Sequence, residues 1–423
     1  MKLHQYFEQI TQIPHCSRQA NALKTFLISF AKKHGYQVET DQEGNILARK
    51  THPKICLQAH YDMVCVGRAP EITLVEKDGW LCAEDASLGA DNGIAVAMMM
   101  VLMEEGAVCE FLFTADEEVG LIGANALAFD LRSRYMLNLD SEEEGEVYIG
   151  CAGGVDIEAE RTYAMKSSEL PFYKVQVFGL PGGHSGVDID KNIPNAIKVF
   201  AAYAKVHQVE IARMKGGERI NSIPTQIEAV VASSKPLPDS EHLTVVPLSE
   251  KMPVAVDSAQ IVSLLEEIPH GVLAYNDRLG IPDSSANLAK IAFAEGKCRI
   301  DVSLRAMDEA GLAQVESQTA SLLRNRGYRV QSHGKYPAWK PEVNDFSEKV
   351  CQTMRQVVGT CRYRAIHAGL ECAVISHLYP DIAIASIGPT IRAPHSVSES
   401  VEIASVERTF QVVRQVIDAV SNA

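Results

Sequence analysis

The sequence predicts an α/β fold: a largely parallel sheet flanked by helices, interrupted by an inserted, smaller α+β domain. Three observations predict it. Continuous apolar stretches alternate with helical periodicity from residue 1 to about 165. Between 166 and 335 the strands switch to alternating polarity, and over 336–423 the first pattern returns. A chain of 423 residues also exceeds the size at which one hydrophobic core keeps growing, so more than one domain is expected.

In the first part, 1–165, a helix over 18–34 stops at Gly35, and apolar strands follow at ICLQA (55–59), EFLFTA (110–115) and YMLNL (135–139). A long helix from about Asn92 separates the first two strands. Apolar strands alternating with helices imply a parallel sheet covered on both faces, whose ligands sit beyond the carboxyl ends of the strands. The part over 166–335 carries strands at YKVQVFG (173–179), QIEAVVAS (226–233) and CRIDVSLRA (298–306), with helices over 195–210 and 307–326. Pro236, Pro238, Pro247 and Pro253 mark its middle as loop or edge strand. In the last part, 336–423, a helix at 346–359, a strand at 382–388 and a helix from about 400 to 420 are expected.

Composition narrows the function. The net charge of −14 argues against nucleic acid or an anionic membrane as partner. The longest apolar run, IAVAMMMVLM (94–103), is about half a bilayer span and reads as a buried helix. The start of the chain lacks the apolar stretch of a secretory signal. Ten cysteines are scattered without a CxxC pair, with Cys56, Cys109 and Cys298 in apolar strand patterns, and a reducing cytoplasm fits them.

Five segments carry the chemistry: LQAHYDMV (57–64), LGADNGIA (88–95), FTADEEVGLIGA (113–124), LNLDSEEEGEV (137–147) and APHSVSE (393–399). Singly, each has a plain explanation. His60-x-Asp62 suits a hydrogen-bonded structural histidine, Asp91 a helix cap, Glu117-Glu118 a solvated acidic pair, and His395 a loop residue. Glu142, Glu143 and Glu144 read as an exposed acidic loop. Jointly, and mostly at strand ends, His60, Asp91, Glu117, Glu118, Asp140 and His395 supply what two adjacent divalent ions require: a carboxylate between them, outer carboxylate and imidazole ligands, and a base for water. Asp62 can fix the tautomer of His60. His395 stands about 250 residues beyond the others, so the last part must fold back onto the first and the middle part is an insertion.

Those segments, with IGCAGG (149–154), GLPGGHSG (179–186), NSIP (221–224), HAGLEC (367–372) and IGPTIRAPHS (387–396), resemble the di-zinc aminoacyl-histidine dipeptidases. These belong to a wider group of metallopeptidases that includes aminoacylase and carboxypeptidase G. The resemblance covers nearly the whole chain. It implies a zinc-peptidase catalytic domain with an inserted lid that also dimerises, and two divalent ions, zinc first, with cobalt or manganese as alternatives. By position, His60 and Asp140 would hold one ion, Glu118 and His395 the other, and Asp91 would bridge them. Glu117 would be the general base and Asp62 the partner of His60. Substrate contacts would fall on His184, Asn221 and Arg305 of the lid and on Gly369 of the catalytic domain, with His184 serving the opposite protomer. Two segments depart from the family pattern and bear on substrate preference: the compact stretch between HYDMV and LGADNG, and HSVSE itself.

The function expected is hydrolysis of dipeptides, of Xaa-His type or broader. An amidohydrolase acting on N-acyl amino acids would use the same ions. A non-catalytic metal-dependent binding protein would not need Glu117.

Overall fold

A computed structural model describes residues 2–421. Contacts divide the chain into two compact units, one of Met1–Gly150, Pro341–Ala365 and Leu370–Ala423, the other of Cys151–Lys340 and Ile366–Gly369. The second unit thus starts and ends outside the expected 166–335, and it takes in a short piece of the HAGLEC segment. Gly369, expected on the catalytic part, groups with this second unit because its backbone lies against Tyr336: a Cβ there would stand 2.9 Å from the ring.

The first unit is built on an eight-stranded sheet among the described residues. Its interior strands, Glu110–Thr114, Ile55–His60, Tyr135–Asn138 and Ala383–Ser386, are neighbours in that order and all parallel. They are short, continuous apolar runs buried on both faces, as a covered parallel sheet demands. The description "largely parallel" needs correction at the flanks. Gln37–Thr40, Ile46–Arg49 and Glu146–Cys151 add antiparallel, and the polar, exposed Gln37–Thr40 carries none of the apolar signal that marks the interior.

The helix Ala90–Glu104 is buried throughout its apolar run Ile94–Met103, as its all-round hydrophobicity predicts. Phe7 of the helix Lys2–Thr11 approaches it at Gly93, where a Cβ would stand 3.0 Å from the ring. A small four-stranded sheet places Ile391–Arg392 beside Ser400–Glu402, then Trp80–Ala83 and Leu74–Lys77. The expected helix over 400–420 therefore starts later, at Ile403, and His395 sits in the loop of a β-hairpin.

The second unit is an antiparallel sheet of nine strands among the described residues, with the helices Ala196–His207, Ser258–Glu267 and Glu309–Asn325 packed into its own core. Asn195 and Asp308 cap the first and last of these helices by accepting backbone N–H bonds. Pro247 lies in the edge strand Leu243–Leu248, where a missing donor does least harm.

Cys56, Cys109 and Cys298 are buried free thiols. The picture of scattered cysteines is otherwise corrected: Cys16–Cys65 and Cys351–Cys361 are disulfide-bonded, at separations of 49 and 10 residues that no spacing motif announces. No described helix is long and apolar enough to cross a membrane.

Candidate metal centre

Parallel strand ends gather the acidic residues. His60 closes Ile55–His60, and Asp140 follows Tyr135–Asn138 by two residues. After Glu110–Thr114 the chain turns through Asp116 and Leu121, both in the left-handed region, around a single 3-10 turn. That turn presents Glu117 and Glu118 together. Asp91 is no helix cap: Asp91 and Asn92 both have non-helical backbone angles, and regular helix resumes only after them.

Asp91 stands between two histidines. Its Oδ1 lies 3.1 Å from His60 Nε2 and its Oδ2 lies 3.1 Å from His395 Nε2. His60 Nε2 is also 3.3 Å from Asp140 Oδ1, and His395 Nε2 is 2.7 Å from Glu118 Oε1. Two ligand clusters result, His60–Asp91–Asp140 and Asp91–Glu118–His395, each with its donor atoms within 4.8 Å of one another and both sharing Asp91. His60, Glu117 and Glu118 form a third such cluster.

Asp62 behaves differently from the expectation. The His60 ring donates through Nδ1 to the backbone carbonyl of Asp62 at 2.9 Å, whereas the Asp62 carboxylate is 3.6 Å away. That carboxylate instead accepts the backbone N–H of Glu117 at 3.0 Å. One residue thereby fixes both the ring and the proposed base.

Burial and crowded charge shift the protonation of the whole cluster. Burial, with Asp140, Glu371 and Glu118 nearby, drives the Glu117 carboxyl well above its ordinary range. Burial beside Asp91 pushes Asp140 up to about 6. His395 is lifted to about 11 by its hydrogen bonds to Asp91 and Glu118. Burial alone would raise Asp91, but His395 and His60 hold it below the usual carboxylate range. Burial would likewise lower His60, yet Asp140 and its other carboxylate neighbours hold it well above the usual imidazole value.

The donor set fits divalent ions. Among the described residues, the ion-pair partners of Asp91, Asp140 and Glu118 are histidines, and no lysine or arginine neutralises them. Imidazole nitrogen with carboxylate oxygen, in two clusters with one shared carboxylate, suits zinc, cobalt or manganese.

The other four candidates lie in the second unit. His184 accepts the backbone N–H groups of Gly186 and Val187 on Nδ1, each at 3.1 Å, which leaves Nε2–H free to donate. Burial and the Arg305 charge hold its pKa below the usual value, so it is neutral. Arg305 is buried and donates to the Tyr336 hydroxyl at 2.5 Å. Gly186 packs so close that a Cβ would meet the His367 carbonyl at 2.3 Å and Arg305 Nε at 3.1 Å. Asn221 is exposed, and its backbone carbonyl accepts the Ser185 N–H at 2.9 Å.

The acidic run after Asp140 is not the exposed loop expected. Only Glu143 is exposed. Glu144 forms a two-bond pair with Arg408, and Glu142, pushed up to about 8 by burial beside Asp91 and Asp140, joins the rim of the cluster. Sequence reasoning also passed over Asn92, whose amide donates to Asp140, and Glu371, buried between Gln58 and Thr114.

A family model described as peptidase family M20/M25/M40 matches residues 56–419. The cytosol non-specific dipeptidase of Escherichia coli strain K12 is 32% identical over 464 aligned positions, which cover 97% of this chain and 96% of the relative. The crystal structure of an aminoacylhistidine dipeptidase from Vibrio alginolyticus superposes with a TM-score of 0.84 at 29% identity, covering 99% and 96% of the two chains. A tripeptidase from Staphylococcus aureus shares the fold at 16% identity, with a TM-score of 0.62 and coverage of 100% and 98%.

Proposed function

Since the chain belongs to peptidase family M20/M25/M40, a family of metal-dependent peptidases, we propose that it hydrolyses dipeptides at a two-ion centre formed by His60, Asp91, Glu118, Asp140 and His395. The observation that carries this reading is the placement of Asp91, whose two oxygens each face a different histidine at 3.1 Å. In this assignment His60 and Asp140 serve one ion, Glu118 and His395 the other, and Asp91 both. The ions, zinc first and cobalt or manganese as alternatives, would polarise the scissile carbonyl and make water acidic enough to attack near neutral pH. Glu117, held by Asp62, takes a proton from the attacking water and returns it to the leaving amine. His184 offers its free Nε2–H to the oxygen that gains charge, and Arg305, Asn221 and Gly369 contact the substrate.

The substrate range proposed is broad and includes Xaa-His dipeptides, in line with the names of the two relatives above. We place the protein in the cytoplasm as a homodimer formed through the second unit.

The test is turnover of a dipeptide panel and of the same peptides N-acetylated, with metal content measured in parallel. Cleavage of free dipeptides with about two ions per chain is expected. Preference for the acetylated forms would replace dipeptidase with amidohydrolase, and absence of any turnover in metal-loaded protein would leave a binding protein.

A further inference from the structure

The hairpin loop that carries His395 ends at Glu399, a residue with no part in the chemistry above. Its side chain is buried, at 2% exposure. Its Oε2 accepts the backbone N–H groups of Leu88 and Gly89 at 2.8 and 3.0 Å, and its Oε1 those of Ala90 and Asp91 at 2.9 and 3.3 Å. Four consecutive amides, the last belonging to Asp91 itself, thus converge on one carboxylate. We propose that Glu399 is a positioning residue that fixes the Asp91 loop and locks it to the His395 loop, so that the two halves of the metal centre are set as one piece.

The chemistry of the contact calls for a carboxylate. Four donors need two acceptor atoms with two lone pairs each, which an ionised carboxylate supplies and an amide does not. Hydrogen bonds to a charged acceptor are also stronger than neutral ones, and a buried N–H that loses its partner is costly. Backbone geometry makes the loop dependent on this support. Gly89 is left-handed, at φ 69°, and a Cβ there would come within 2.9 Å of Met63 Sδ, so the chain is threaded where little else fits. Asp91, at φ −81° and ψ 104°, departs from helical geometry.

At the other end, the strands Ile391–Arg392 and Ser400–Glu402 close the hairpin immediately outside the loop. Inside it, the Ser396 hydroxyl donates to the Ala393 carbonyl at 2.7 Å, and the Glu399 N–H donates to the Ser396 carbonyl at 3.2 Å. His395 is carried on this small frame in a left-handed conformation, at φ 58°. Glu399 therefore governs the distance between His395 Nε2 and Asp91 Oδ2 from outside the site. Glu399, the last residue of HSVSE, has this task in place of substrate contact.

The inference rests on the reading that Asp91 and His395 hold ions, and the test separates the two. Chelator-stripped protein is titrated with Co²⁺ by calorimetry and by its visible absorption spectrum, using the parent, E399Q, E399D and, as a control, D91A. Replacing Glu399 by Gln keeps the size but turns an NH₂ group toward two of the four amides. E399Q is expected to bind at least one ion about 10- to 100-fold more weakly, the range for residues that support metal ligands, with a shifted Co²⁺ spectrum. E399D, which keeps the charge, should recover part of that loss. Circular dichroism of the stripped proteins reports the fold independently. Parental affinity and spectrum in folded E399Q would overturn the proposal. Should stripped E399Q fail to fold, E399D decides: weaker binding by folded protein supports the role, and parental binding overturns it. If the parent binds no pair of ions, or D91A binds both, the two-ion reading falls and this inference falls with it.

Discussion

Asp62 Oδ1 accepts the backbone N–H of Glu117 at 3.0 Å, while the Asp62 carbonyl accepts His60 Nδ1 at 2.9 Å. The side chain therefore acts on the base and the main chain acts on the ligand. Asp62→Ala should lower kcat about 10- to 100-fold with little loss of metal, because it cuts the bond to Glu117 while the main-chain bond to His60 remains. Asp62→Asn retains an oxygen for that N–H and should lie between Ala and the parent. A drop in metal content that matches the drop in kcat would show that the carboxylate serves His60 after all.

Glu117→Gln should keep both ions and lose about 10²- to 10⁴-fold in turnover, since the amide fills the same space but cannot accept a proton. Metal analysis and steady-state kinetics on one preparation decide it. Near-parental turnover with metal bound would remove Glu117 from its role.

The two ligand clusters share Asp91 and nothing else, so substitutions there and at His395 should differ in kind. Asp91→Ala removes a donor from both clusters and should leave less than one ion per chain at metal concentrations where the parent holds two. His395→Ala should lose one ion and keep the other. Equal loss from the two variants would mean that Asp91 does not bridge.

Much of this site was legible because strand ends are legible. Buried parallel strands such as ICLQAH and EFLFT write themselves as short apolar runs, and His60 and Glu117–Glu118 stand at or just past their ends. What escaped was carried by the backbone. Glu399 binds four main-chain amides, and main-chain donors leave no residue signature. The His60-x-Asp62 spacing suggested a carboxylate on the ring, but the turn after the strand brings the carbonyl there instead. The strands Ile391–Arg392 and Ser400–Glu402 are too short to show a period, so a hairpin read as the approach to a helix. Glu144 looked solvated because its partner, Arg408, is distant in sequence.

Stability of the stripped protein should fall as pH rises. Asp140, Glu371 and Glu142 are raised by burial to about 6, 7 and 8, so each binds its proton more tightly folded than unfolded. An acid with a raised folded pKa contributes stability below its unfolded value, and that contribution is lost as pH climbs through the folded value. His395, lifted to about 11, loses its contribution in the same direction, from about 6.5 upward. Between about pH 7 and 9, above the range in which the buried His270 and His367 gain stability by losing protons, the Tm of chelated protein should therefore decline, while metal, which replaces protons at its ligands, should widen the gap between loaded and stripped Tm. Thermal melts with chelator and with Zn²⁺ across that range check this, and a gap that narrows with pH would contradict it. The stripped protein should still be folded at neutral pH, because both units have large apolar cores apart from the cluster.

His184 should act on a substrate without touching metal. Two backbone amides occupy its Nδ1, and burial with the Arg305 charge keeps it neutral, so what it has to give is the Nε2–H. His184→Ala should thus lower turnover by about 10²-fold or more, the cost of one oxyanion donor, with two ions still bound. Whether the histidine serves its own chain or a partner is decided by mixing. If it serves the partner, His184→Ala and Glu117→Gln are each inactive alone, yet a mixed dimer holds one site with both an intact Glu117 and a donated His184. Exchange of subunits, followed by native mass spectrometry, should then restore activity in proportion to the mixed dimer, towards half the parental value per mixed dimer. If exchange is complete and no activity returns, His184 acts within its own chain or not on the substrate at all. Turnover by His184→Ala alone distinguishes those two, since near-parental activity would mean that it has no catalytic role.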